Sequence, residues 1–286
     1  MADPLTLMAV HAHPDDEAIG TGGILARAAA EGIRTVLVTC TGGEVGEIAP
    51  ETGATPETLA EVRKRELEEA CDILGIHHLE MLGYRDSGMI GTVDNHHPES
   101  FYQADLGHAI SRMVSLVRKY RPSVIVTYDE NGFYGHPDHI NAHRVAVGAY
   151  HRAGDAALED GHEPFSPKKL YYTAIATSQF KEFGRRLREL GINGPGGASA
   201  EGDAEQADPP WGTPDALVTT VVDVAAHVEK KRRALWAHAT QMGPEVFFAK
   251  LPEPVFDSLF GSESFKLVQA RVGLSLPETD LFAGLR

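Results

Sequence analysis

Cysteine is nearly absent: Cys40 and Cys71 are the two in 286 residues. Two cysteines make no disulfide framework. One falls in a segment patterned as a strand and the other in one patterned as a helix, where a thiol serves as a small buried apolar group. Basic charge is also in short supply, with 26 Lys and Arg against 41 Asp and Glu and a formal net charge of −15. Such a field repels a phosphate backbone, so no nucleic-acid partner is expected. No apolar run reaches the roughly 18 residues that cross a bilayer, so no membrane partner is expected either. The opening Met1-Ala2-Asp3-Pro4 places an acid where a signal peptide carries Lys or Arg, and a cytoplasmic location is the expectation. No repeat is visible. Nothing in the pattern reports on self-association, so a homo-oligomer stays open.

What is present is an ordinary globular composition, 42% hydrophobic and 23% charged, with length for one large domain. Residues 5–10 (LTLMAV) read as a buried first strand, 21–31 as a helix stopped by Gly32, and 34–39 (RTVLVT) as a second strand. Thr55-Pro56-Glu57-Thr58 offers an N-cap with proline at the first helical position, for a helix reaching about residue 74. A weak strand at 78–82, a helix at 106–119, a clear strand at 123–127 and a helix from 137 to about 152 follow. Further on, 170–174 and 217–222 read as strands and 224–240 as a long helix. This alternation predicts an α/β fold, a Rossmann-like mostly parallel sheet with helices on both faces. Residues 1–155 form the expected core. Residues 156–286 form a smaller mixed part completing the fold and pocket, with a flexible loop at 194–214, rich in Gly, Ala, Pro and acid.

Fourteen histidines stand out, and several cluster with aspartate. The first cluster is Ala12-His13-Pro14-Asp15-Asp16-Glu17, directly after the first strand. His13 and Asp16 can meet at one metal ion across a tight turn, which leaves Asp15 to face an open position and take a proton from water. The plainer reading is a turn whose aspartates cap the next helix. The second cluster, Tyr134-Gly135-His136-Pro137-Asp138-His139, also follows a strand, with Pro137 suited to a first helical turn. His136 and His139 can both face the cleft at the carboxyl ends of the strands, where such sheets take ligands. A rival pairs His139 with His143 on one helix face, without a nearby carboxylate. Gly20-Thr21-Gly22-Gly23 hints at a nucleotide-binding module, but its spacing is not G-x-G-x-x-G. A purely structural metal site fits poorly, because such sites are closed by four ligands rich in Cys.

The paired motifs resemble the signature of the LmbE-like, or PIG-L, zinc N-deacetylases. The resemblance is strong over about residues 5–152 and thinner beyond, where His238-Ala239-Thr240-Gln241 also fits. Thr39-Cys40-Thr41-Gly42-Gly43-Glu44, Tyr84-Arg85-Asp86-Ser87-Gly88-Met89, Tyr128-Asp129-Glu130-Asn131-Gly132 and the tail from Glu278 to Gly284 are similar to one branch, the actinobacterial mycothiol enzymes. That branch holds N-acetylglucosaminyl-inositol deacetylases and mycothiol S-conjugate amidases, and features here point to both. Residues Ala18-Ile19-Gly20 match neither, which leaves another N-acetyl amino sugar, such as an antibiotic intermediate, as a third substrate.

The resemblance implies hydrolysis of the N-acyl amide of a glucosamine-type small molecule. His13, Asp16 and His139 would hold Zn2+, and a His/His/Asp set accepts Fe2+ as well. Asp15 would be the general base. His136, oriented by Asp138, would be the cationic partner or general acid, and Tyr134 would donate to the oxyanion. Arg63 and Asp86 match positions that hold the sugar, and Glu47 lies in a loop placed to do so. Arg63 has an equal alternative as a solvated helix residue.

Overall fold

The computed structural model describes residues 4–192 and 211–286, so the loop expected over 194–214 lies almost wholly outside the described residues. The first strand, β1 (Thr6–His11), is buried at every position. Successive strand side chains point to opposite faces. Met8 and Val10 accordingly join one apolar cluster, and Leu7 and Ala9 join another.

The chain continues through α1 (Asp16–Gly20), α2 (Gly22–Ala30), β2 (Arg34–Thr41), α3 (Leu59–Leu74), β3 (His78–Tyr84), α4 (Leu106–Tyr120) and β4 (Val124–Thr127). A short α5 (Gly132–Gly135) leads into α6 (Pro137–Arg152) and β5 (Lys169–Ala174). The remainder adds α7 (Thr177–Glu189), β6 (Thr220–Asp223), α8 (Val228–Ala237), α9 (Phe247–Lys250), α10 (Glu253–Phe260) and β7 (Ser262–Ala270). The seven strands form one sheet in the order β3-β2-β1-β4-β5-β7-β6. Strands β1 to β5 are parallel, and β7 is antiparallel to both of its neighbours.

Helices cover both faces, as the alternation predicts. Met113 and Val117 of α4 and Ala142 and Val145 of α6 pack against Met8, Val10, Val36 and Val38. Ile24 and Leu25 of α2 and Leu67 and Cys71 of α3 cover Leu7, Ala9, Leu37 and Val126 on the other side. Each fully buried aliphatic side chain of this kind contributes roughly 1.5–3 kcal/mol. Outside α3, Leu235 of α8 and Phe256 of α10 add a third cluster with Leu74. Cys40 and Cys71 are buried, as their patterning implies. Among the described residues, no helix is long and apolar enough to cross a membrane.

Several boundaries differ from the sequence reading. The third helix starts at Leu59 rather than at Pro56. Thr58 is used backwards: its backbone N–H donates to Thr55 O at 3.0 Å, and its hydroxyl accepts from Thr55 N at 2.9 Å. The segment read as one long helix over 224–240 opens with a 3-10 turn at Ala225–His227 and stops at Ala237. The strand expected at 217–222 shrinks to β6, because Asp215–Leu217 forms a 3-10 turn. The sequence reading did not mark α7, α10 or β7.

The C-terminal tail is tied to the sheet by a buried ion pair. Lys169 Nζ lies 2.6 Å from Glu278 Oε1, and Tyr171 OH donates to Glu278 Oε2 at 2.5 Å. Removing one partner of a buried pair strands the other charge and costs about 3–5 kcal/mol. Glu278→Ala is therefore expected to destabilise the chain on that scale in urea titration, far more than Glu253→Ala, whose pair with Arg232 is exposed. Equal losses for the two variants would show that the tail anchor carries no special weight.

Candidate active site

The order β2-β1-β4 reverses the direction of strand progression at β1, and open α/β sheets take ligands in the crevice at that point. Every residue of both His-Pro-Asp clusters arrives there. Residues 12–15 turn directly off β1, α6 begins shortly beyond β4, and Asp86 and Ser87 lie just past β3.

The turn after β1 is strained. Asp15 has φ 111° and ψ −30°, a conformation that costs a non-glycine residue about 1–3 kcal/mol and persists when its surroundings hold it. Asp15 O accepts from Ala18 N at 3.0 Å and Ile19 N at 3.2 Å, while Asp15 N donates to Glu17 Oε2 at 3.0 Å. Arg63, buried on α3, donates to Pro14 O, to Gly43 O at 3.0 Å and to Asp15 Oδ2 at 3.2 Å.

On the opposite side, Pro137 occupies the first turn of α6, and His136 caps it by accepting the Asp138 N–H on Nδ1 at 3.2 Å. That bond leaves the His136 proton on Nε2. Gly132 makes the preceding turn. Its φ is 62°, and a Cβ there would meet His139 Cβ at 2.7 Å, so only glycine fits.

Three donor groups converge. His139 Nε2 lies 3.3 Å from His13 Nδ1 and 3.5 Å from Asp16 Oδ1, and His13 Nδ1 lies 3.4 Å from Asp16 Oδ2. Tetrahedral zinc with ligands at about 2.0–2.1 Å places neighbouring ligand atoms about 3.3 Å apart. The spacing and the nitrogen–oxygen chemistry of this set thus fit such an ion. His136 also brings a nitrogen within 4.8 Å of those of His13 and His139, and His13, Asp86, His136 and Asp138 form a second group of the same reach. The second group is less free to bind. Asp138 already accepts from Ser87 N at 2.8 Å and from Ser87 Oγ, and His136 Nδ1 is engaged by the helix.

Surrounding groups orient these donors. Asp138, wholly buried, sets Oδ2 3.3 Å from His13 Nε2. This is the carboxylate–imidazole support common behind metal-binding histidines, and it frees Nδ1 for the metal side. Asp16 Oδ2 accepts from His13 N and Tyr128 OH, both at 2.7 Å. Tyr128 stacks on His139 with centroids 4.2 Å apart, and Tyr134 meets the same ring edge-on at 4.9 Å.

The electrostatics follow from burial among carboxylates. Burial opposes a charged His13, yet Asp138, Asp16 and Asp86 override it and hold its pKa well above the usual imidazole range. Burial would raise Asp16, but His139 and His13 keep it well below the ordinary carboxylate range. Asp15 is pushed up to about 6 by burial, with Arg63 opposing and Asp16 adding to the rise. Burial and the neighbouring His13 and His139 push His136 down to about 4. It is therefore a neutral hydrogen-bond donor near neutral pH, which does not fit the cationic partner or general acid that the resemblance implies. Burial, together with Asp16, raises the Tyr134 hydroxyl, which stays protonated.

The structure gathers His13, Asp15, Asp16, Asp86, Tyr134, His136, Asp138 and His139 at one place. Two assignments change in detail. The backbone N–H of Asp138 orients His136, whereas its carboxylate serves His13. Arg63 is not the solvated helix residue of the alternative reading: it is buried, with its terminal nitrogens bonded to the Pro14–Asp15 turn and to Gly43. Glu47 sits exposed on the loop beyond β2, where only its carbonyl is used, by Gln241 Nε2 at 2.8 Å. The rival His139–His143 pair does not form a site, because His143 Nδ1 bonds Tyr128 O at 2.9 Å and the ring packs on Tyr172. Sequence reasoning gave no role to Tyr128, Ser87, Glu17 or His238. All four lie inside quoted motifs, but the side-chain partners they meet are distant in the chain.

A family model described as PIG-L, GlcNAc-PI de-N-acetylase, matches residues 8–150. A 1D-myo-inositol 2-acetamido-2-deoxy-α-D-glucopyranoside deacetylase of Thermobifida fusca (strain YX) is 44% identical, with 97% of this chain and 98% of that one covered. A protein of the same name from Thermobispora bispora is 44% identical with all of both chains covered. Among solved structures, the conserved protein TT1542 from Thermus thermophilus is 27% identical, with a TM-score of 0.62 over 94% of this chain and 97% of that one. The family match spans both His-Pro-Asp clusters, Arg63 and Asp86, and full-length identity extends it. The chain belongs to the PIG-L family of GlcNAc-PI de-N-acetylases.

Proposed function

We propose that this chain hydrolyses the acetamide of N-acetylglucosaminyl-inositol, releasing acetate and a free amino sugar, with a zinc ion held by His13, Asp16 and His139. The observation that carries the reading is the triangle of His13 Nδ1, His139 Nε2 and Asp16 oxygens at 3.3–3.5 Å, with Asp15 on the adjoining turn. The substrate rests on the two full-length relatives, whose names specify that deacetylase activity. They favour it over S-conjugate cleavage. Fe2+ suits the same donors. A cytoplasmic setting belongs to this reading.

When bound, the ion polarises the amide carbonyl and brings the pKa of water toward about 7. The protein's residues supply the proton transfers and the alignment. Asp15 accepts a proton from water as it attacks the carbonyl carbon, with Arg63 holding the Asp15 carboxylate in place. The negative oxygen that develops receives hydrogen bonds from His136 Nε2–H or the Tyr134 hydroxyl, donors already set in position. Asp15, now protonated, delivers its proton to the leaving nitrogen, and the amine departs. Asp86, buried beside His13, and Glu47 at the rim are the groups we assign to the sugar hydroxyls.

The substrate is tested by measuring amine release from N-acetylglucosaminyl-inositol and from a mycothiol S-conjugate with zinc-loaded protein. The acetylated substrate is expected to react faster. Preference for the S-conjugate would overturn the substrate assignment and leave the chemistry intact.

The ligand set is tested apart from turnover. His139→Ala is expected to lose zinc on dialysis against a chelator that leaves the parent loaded. Retention as tight as the parent's would move the third ligand to His136.

Arg63 opposes the rise of the Asp15 pKa. Because Asp15 works ionised, kcat/KM falls as pH drops through its pKa. That limb lies at or below about pH 6 in the parent, since a bound cation lowers a neighbouring carboxylate further. Arg63→Met removes the opposing charge, so the limb is expected to move to higher pH. An unmoved limb would show that Asp15 is not the titrating base.

A further inference from the structure

Glu17 is a carboxylate buried without exposure that takes no part in the donor triangle. Its two oxygens are both committed. Oε2 accepts the backbone N–H of Asp15 at 3.0 Å, and Oε1 lies 2.7 Å from His238 Nε2. His238 is itself buried without exposure and lies just past the end of α8, more than two hundred positions away in the chain. The stretch carrying it is anchored on both sides. His238 O accepts from Gln241 N at 2.9 Å, and Thr240 donates to Glu66 of α3 through N at 2.8 Å and Oγ1 at 2.6 Å. Ala49 N, on the loop beyond β2, donates to Thr240 O at 2.8 Å.

The residue that Glu17 holds is the strained one. Asp15 has a positive φ without being glycine, and such a backbone relaxes unless neighbours over-determine it. The side chain of Asp15 is fixed by Arg63, its carbonyl by α1, and its N–H by Glu17. A buried pair serving stability alone would have no reason to end on the one amide of the turn that precedes Asp16. We propose that Glu17 is a positioning residue for the proton acceptor. Clamped by His238 from the far half of the chain, its carboxylate holds the Asp15 backbone in the strained turn that aims the Asp15 side chain at the reacting water. The inference rests on the reading of Asp15 as the base.

The test uses full-length, zinc-loaded protein, with kcat expressed per loaded site. Loss of a group that orients a site from behind typically lowers activity 10- to 100-fold. Glu17→Ala and His238→Ala are each expected to lower kcat by about that factor, with KM within about twofold and zinc content unchanged. The double variant is expected to be no slower than the slower single one, because the two act as a unit. Glu17→Gln keeps an acceptor for the Asp15 N–H and is expected to retain more activity than Glu17→Ala. Should the alanine variants fail to fold, Glu17→Gln and His238→Gln decide: a fall in kcat of about threefold or more in His238→Gln supports the role, and a smaller one overturns it. A loss confined to KM, zinc content or thermal stability likewise overturns it. Asp15→Asn is run beside them. Normal turnover there removes the base assignment itself, whereas an inactive Asp15→Asn with unimpaired Glu17 variants removes only the positioning role.

Discussion

The carboxylates of Asp15, Asp16, Asp86 and Asp138 are gathered at the end of β1, where little water reaches them. Negative charge of one sign cannot be buried together without compensation. Much of the local architecture supplies that compensation. Arg63 faces Asp15, Ser87 gives two hydrogen bonds to Asp138, and Tyr128 and the His13 amide serve Asp16. Asp86 accepts from Gly88 N at 2.8 Å. What these donors leave over is a demand for positive charge at the two imidazole nitrogens that face each other 3.3 Å apart. A divalent cation would meet that demand, and the site would then need no second buried arginine to hold it together.

The sheet makes this concentration possible. Parallel strands deliver their carboxyl ends to one edge, and the reversal of strand order at β1 opens a crevice there. β1 ends in a histidine-rich turn, β4 leads to the N-terminus of α6, and β3 leads to Asp86. Residues far apart in the chain thus meet without any long excursion of the backbone. The N-terminus of α6 adds unsatisfied N–H groups, and His136 answers one of them. The same bond sets the tautomer of His136, so a helix cap also prepares a hydrogen-bond donor for the site.

The legible parts of the chain are those with local causes. The alternation of strand and helix, the apolar faces of β1 and β2, and the proline at the start of α6 are written in short windows, and they place both His-Pro-Asp clusters on one edge. The Thr55-Pro56 signal misleads because the hydroxyl of Thr58 closes a turn before the helix begins. β7 follows every other strand in the chain yet pairs between β5 and β6, and no local pattern announces such an insertion. α7 carried a usable signal, since Phe180, Phe183 and Leu187 recur at helical spacing. In the site, the donors were legible and their supports were not. Ser87 meets Asp138 across 51 positions and His238 meets Glu17 across 221, and a single sequence carries no trace of contacts so distant. For the same reason the sequence leaves a surface position open for Arg63, although the residue is buried and braces the Asp15 turn.

The two stretches of the chain divide the work unevenly. The donor triangle and the residues proposed as base and hydrogen-bond donors all lie within the stretch that matches the family model. The later stretch completes the sheet with β5, β7 and β6, and it reaches the site through the segment from His238 to Gln241. That segment braces α3 through Glu66, the loop beyond β2 through Ala49 and Glu47, and the strained turn through Glu17. Each of those elements carries a residue that faces the crevice or holds one that does. A change at His238 or Thr240 is expected to loosen the β1 turn, α3 and the β2 loop together, because those three elements share one support.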